Sequence, residues 1–257
     1  MRDKPAHLLS VPRSVSQADG RGRRRRSIVV AGVIFALLVA SLYGLVTYRP
    51  ASTTAQAVPQ ALITPARDRP LAVFLGDSYT AGTGATTDSS RWSSLVAQER
   101  GWHELNFGLG GTGYATSAGV NGCGQKYCPS YRESVKEIAQ LQPDVVVVAG
   151  GQNDFATSES KPATVTRAIG ATIEGLRKSL PDAQIIVVGP STPSGAGDTA
   201  VTMEAAVRRA AKGADATFIS LLEPRPVIRG PMVLPDKVHV NDSGHAAIAR
   251  RVLDGLS

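Results

Sequence analysis

The 257-residue chain has little cysteine and few aromatic side chains: two cysteines, and Phe, Trp and Tyr together at 5%. With so few aromatics and no hydrophobic segment that would serve as a lid, a site built for long acyl chains is disfavoured. The two cysteines, Cys123 and Cys128, have no histidine near them, so a metal centre at that point is disfavoured as well. No internal repeat is present, and residues 49–70 form the only compositionally biased tract.

The formal charge of +7 suggests a polyanion partner until it is divided along the chain. Residues 1–50 hold nine of the 28 Lys/Arg but only two of the 21 Asp/Glu, which leaves 19 of each sign from Ala51 onward. The bulk of the protein is neutral, and a nucleic-acid groove has no electrostatic basis.

What is present begins with an uncharged run of 21 residues from Ile28 to Tyr48. That length crosses a bilayer as a helix and exceeds the apolar core of an ordinary signal peptide. Arg21 and Arg23 to Arg26 directly precede it. Basic residues stay on the cytoplasmic side, so residues 1–27 are expected as a cytoplasmic tail, 28–48 as a transmembrane signal anchor and 49–70 as a flexible linker. The rest would then lie outside the cell membrane. Ala55-Gln56-Ala57 resembles a signal-peptidase site, so release by cleavage near Ala57 is the alternative. In an oxidising compartment, Cys123 and Cys128, with four residues between them in a Gly-rich loop, are expected to form a small local disulfide.

From residue 71 onward, apolar β-branched runs at Leu71–Leu75, Val145–Ala149 and Ile185–Val188, with weaker ones at Glu104–Phe107 and Thr217–Ile219, alternate with helical patterns at 91–100, 131–141, 164–180, 200–212 and 243–256. Continuous hydrophobicity means strands covered on both faces. The expected fold of 71–257 is therefore an α/β three-layer sandwich, a parallel sheet of about five strands flanked by helices. Ligands bind beyond the carboxyl ends of such strands.

Candidate chemistry falls at those ends. Ser78 follows the first strand in Gly76-Asp77-Ser78-Tyr79, Gly110 and Gly111 follow the second, Asn153 follows the third, and Asp236-Lys237-Val238-His239 precedes the last helix. A serine hydroxyl needs a positioned imidazole to take its proton, a carboxylate to orient the imidazole, and donors aimed at the developing oxyanion. Ser78 alone could equally be a helix cap and Asn153 an ordinary turn residue. Asp154 suits loop hydrogen bonds better than chemistry, and His103 and His245 suit packing or capping. Two rival motifs fail. Gly108 to Gly113 satisfies G-x-G-x-x-G, but the Gly-rich stretch 114–128 cannot open the helix that a dinucleotide fold requires. The G-x-S-x-G elbow is absent because Thr80 occupies its last place.

The four blocks resemble, in order, those of the GDSL esterase/lipase family, also called SGNH hydrolases. The resemblance spans essentially all of 71–257. It implies Ser78 as nucleophile, His239 as base and Asp236 as its partner, with Ser78 N–H, Gly111 N–H and the Asn153 amide as oxyanion hole and no cofactor. Where the family's second block has a serine-led sequence, this chain has Gly110-Gly111-Thr112-Gly113, so either glycine could be the donor. Tyr79 stands where the family has leucine, a change expected to be harmless. The expected reaction is hydrolysis of a small-molecule or cell-envelope ester. An O-acyltransferase acting on envelope carbohydrate, or an inactive surface binding module, are the alternatives.

Overall fold

The structure, a computed structural model, describes residues 68–193 and 197–257. The basic tail, the apolar 28–48 segment, nearly all of the 49–70 linker and the Ala55–Ala57 triplet lie outside the described residues. Among those described, no helix is long and apolar enough to cross a membrane.

Five parallel strands form one sheet: β1 (Leu71–Gly76), β2 (His103–Gly108), β3 (Val145–Ala149), β4 (Gln184–Val188) and β5 (Thr217–Ile219), in the order β2-β1-β3-β4-β5. Every residue of β1 and β3 is buried. Alternate side chains enter opposite cores, which is why these strands read as unbroken apolar runs. Val73, Leu75, Val146, Val148, Ile185 and Val187 join one cluster, and Ala72, Phe74, Val145, Val147, Ile186 and Val188 the other. Each fully buried Val, Leu, Ile or Phe contributes roughly 1.5–3 kcal/mol relative to exposure. Edge strand β2 is only half-buried, matching its mixed sequence His103-Glu104-Leu105-Asn106-Phe107.

The first cluster is covered by α4 (Tyr131–Gln140), α6 (Pro162–Ser179) and α7 (Asp198–Gly213), the second by α2 (Trp92–Arg100) and α8 (Asp242–Asp254). The three-layer expectation and all five strand positions agree with the structure to within a residue or two. Three short helices lie outside the helical patterns read from the sequence: α1 (Ser78–Ala81), α3 (Val120–Cys123) and α5 (Phe155–Ser160). At four to six residues they are too short to display a helical period.

The strand order positions the site. The chain leaves β1 for β2 on one side, then returns to β3 on the other, so a crevice opens where the direction reverses. Gly76 pairs with Gly108 on one side and with Ala149 on the other, so the three strands end level with one another. Ser78, Gly110 and Asn153 each lie only a few residues past that common rim.

Candidate active site

Ser78 opens α1, where its N–H has no intrahelical acceptor. The cap that the sequence offered to Ser78 belongs instead to Asp77, whose Oδ1 accepts from the Tyr79 N–H at 3.0 Å. The Ser78 hydroxyl is thereby free of structural duty, and it meets His239 Nε2 at 3.0 Å.

His239 is oriented by its own loop. Asp236 Oδ1 accepts the N–H groups of Val238 and His239, both at 2.9 Å, and its Oδ2 accepts from the imidazole Nδ1 at 2.8 Å. Lys237 sits at φ 60° to close this turn, a left-handed conformation costing on the order of 1 kcal/mol in a non-glycine residue. The backbone N–H groups of His239 and Val238, then the imidazole, hold the Asp236 carboxyl down at about 2. An ionised acceptor at Nδ1 places the ring proton there and leaves the Nε2 lone pair facing the serine hydroxyl. Asp236 is about half exposed and the His239 side chain about one-fifth, so the pair stands at the protein surface.

Asn153 lies in a 3₁₀ turn just past β3, entered through Gly150 (φ 118°) and Gly151 (φ 108°). Its side-chain amide donates to Thr112 O at 2.9 Å, which fixes the amide plane and leaves its second N–H free of that bond. Among the described residues, neither Gly110 nor Gly111 donates its N–H to the backbone, so both remain candidate donors. Asp154, buried, accepts from Tyr114 N–H at 2.6 Å, Ala115 N–H at 3.2 Å and the Thr116 hydroxyl at 2.6 Å. It braces the loop after β2 against the loop after β3. Burial, partly offset by these bonds, raises its carboxyl above the ordinary value.

Sequence reasoning passed over two contributors. Asp77 is wholly buried behind the nucleophile, with Oδ2 against Gly150, Gly151 and the Tyr131 hydroxyl but without a hydrogen bond of good geometry. Burial pushes its carboxyl up to about 6. Tyr79, also buried, donates its hydroxyl to Val238 O at 2.5 Å, so the residue after the nucleophile reaches the loop that carries the base. A buried tyrosine must satisfy its hydroxyl, which is the signal the sequence did carry.

His245 is a packing residue, as its place in the last helix implied. It accepts from Trp92 N–H at Nδ1, 3.4 Å away, and donates from Nε2 to Thr83 O at 3.3 Å. Burial lowers its pKa. Cys123 and Cys128 form the expected disulfide, and the loop they close backs onto the candidate donors: a Cβ on Gly110 would lie 2.4 Å from Gly122 O, and one on Gly111 3.2 Å from Gly122 Cα. The G-x-G-x-x-G stretch runs into this loop, where the only helix is the four-residue α3. Among the described residues, no group of three or more His, Cys, Asp or Glu side chains is gathered to hold a metal.

Residues 74–247 match the GDSL-like lipase/acylhydrolase family. Over 198 residues, 74% of this chain and 83% of the relative, the sequence is 26% identical to the GDSL lipase Rv0518 of Mycobacterium tuberculosis (strain ATCC 25618 / H37Rv). The fold resembles that of TesA, with a TM-score of 0.57 at 18% identity, covering 73% of this chain and 98% of that one. It also resembles Est24, a carbohydrate acetylesterase from Sinorhizobium meliloti, with a TM-score of 0.53 at 15% identity and coverage of 73% and 98%.

Proposed function

The chain belongs to the GDSL-like lipase/acylhydrolase family, and on that premise we propose that it is a serine esterase that hydrolyses small carboxylic esters through an acyl-enzyme at Ser78, on the outer side of the cell membrane. The observation that carries this reading is the chain of contacts Asp236 Oδ2 to His239 Nδ1 to Ser78 Oγ, at 2.8 and 3.0 Å.

Ser78 Oγ attacks the ester carbonyl while His239 Nε2 takes its proton, and Asp236 stabilises the imidazolium that results. The carbonyl oxygen becomes an oxyanion facing the N–H of Ser78, the N–H of Gly110 or Gly111, and the Asn153 amide. His239 returns the proton to the departing alcohol, then draws one from water, which cleaves the acyl-enzyme and restores the serine. The exposure of Asp236 and Val238 leaves this side of the triad open among the described residues, which supports short acyl groups.

The outer location rests on the apolar 28–48 run with arginines before it, and the Cys123–Cys128 disulfide supports an oxidising surrounding. Immunoblotting of membrane and culture-medium fractions tests it, with the protein expected in the membrane fraction. A wholly soluble product beginning near Val58 would contradict the anchor.

The chemistry is tested by labelling with a fluorophosphonate, which reacts only with an activated serine. Wild-type protein should be labelled and should hydrolyse p-nitrophenyl acetate, and Ser78→Ala and His239→Ala should lose nearly all turnover. Undiminished turnover in either variant would refute the assignment.

A further inference from the structure

We propose that Tyr79 is a positioning residue that holds the His239 loop in register with the nucleophile, above all while Ser78 is acylated; this rests on the triad reading above. Its phenol is buried and donates to the carbonyl of Val238, 159 residues away, at 2.5 Å, with the ring centroid 6.1 Å from that of His239. Burial and the nearby Asp77 and Asp236 carboxylates raise the phenol's pKa, so it remains a donor throughout the neutral range.

The segment from Leu234 to His239 is otherwise bonded largely to itself. Leu234 N–H donates to His239 O, Lys237 N–H to Leu234 O, and the N–H groups of Val238 and His239 to Asp236. Among the described residues, only two hydrogen bonds join residues 234–239 to the rest of the chain: His239 to Ser78, and Tyr79 to Val238. The reaction removes the first of these. Once Ser78 Oγ is bonded to the acyl carbon it has no proton to offer Nε2, and the imidazole must stay in place to activate water. During that interval the Tyr79 hydroxyl is the remaining hydrogen bond between the base's loop and the body of the protein. Leucine, which the family motif carries here, would fill the buried space without supplying the donor.

Tyr79 bonds the loop through Val238 O and not through the imidazole, so its loss should slow deacylation above all, lowering kcat and KM together and leaving kcat/KM, which reports acylation, nearly unchanged. One neutral hydrogen bond corresponds to about 3- to 10-fold. The test compares wild type, Tyr79→Phe and Tyr79→Leu, each normalised to active sites titrated with a fluorophosphonate, by steady-state and burst kinetics on p-nitrophenyl acetate. Expected for both variants are a kcat per titrated site about 3- to 10-fold lower, a KM lowered with it so that kcat/KM stays within about twofold of wild type, and a larger burst, because deacylation slows more than acylation. A merely structural role would lower the titratable fraction and leave kcat per site and burst unchanged, and that result would overturn the proposal. So would equal slowing of both steps. Absence of labelling in wild type, with full turnover by Ser78→Ala, would instead refute the triad reading itself, and is told apart because it does not involve Tyr79.

Discussion

The Ser78 hydroxyl and His239 Nε2 lie 3.0 Å apart although 161 residues separate them. The proximity follows from strand order. Ser78 follows β1, which lies between edge strand β2 and central strand β3, and the chain must finish all five strands before α8 packs against α2 and brings the preceding loop over the same rim.

Asn153→Ala should lower kcat for p-nitrophenyl acetate by about 10²- to 10³-fold with little change in KM, because the amide acts on charge that exists only in the transition state. Asp236→Asn should cost about 10²- to 10⁴-fold, since the neutral amide no longer holds the proton at Nδ1. Activity within a factor of ten of wild type in either variant would show that the contact has no catalytic use.

Gly150 has φ 118°, and a Cβ there would fall 2.3 Å from Asp77 Oδ2 and 2.6 Å from the Tyr131 hydroxyl. Gly150→Ala combines a disfavoured backbone with a clash against two buried groups, and should destabilise by more than about 2 kcal/mol in chemical denaturation. It should also displace the Asn153 turn and reduce turnover. A wild-type midpoint would mean that this loop yields readily.

The Asp77 carboxyl rises from 3.8 to about 6 on folding, so the folded chain binds its proton more tightly than the unfolded chain does. Its contribution is most favourable below about pH 4 and is lost as pH climbs through about 6, where a buried charge costs up to about 3 kcal/mol. Asp77→Asn keeps an acceptor for the Tyr79 N–H and removes the titration. Unfolding free energies measured at pH 4 and pH 7 should show the variant gaining on wild type by roughly 1–3 kcal/mol at the higher pH. A difference independent of pH would contradict the buried-charge account.

Cys123 and Cys128 close a short loop, so replacing both with serine should cost only about 2 kcal/mol of global stability. Turnover should fall more than stability implies, because Gly122 in this loop packs on Gly110 and Gly111. Melting temperature and kcat measured on the same preparation distinguish the two. A kcat at the wild-type level would separate the disulfide from the donors.

Much of this was legible without coordinates, for identifiable reasons. Strands such as Val145–Ala149 announce themselves because burial on both faces demands unbroken apolar sequence, and the long helices because one face must be apolar. The sequence by itself also determined that only the first 50 residues carry excess positive charge, and that a serine and an asparagine after strand ends, then an Asp-x-x-His pair before the last helix, come in an order matching one family. Tertiary structure alone decided the rest. That Asp154 braces two loops, and that the Tyr79 hydroxyl reaches Val238, are contacts between segments far apart in the chain. Local pattern reports which side of a residue is apolar; only packing decides which distant group its one polar atom will meet.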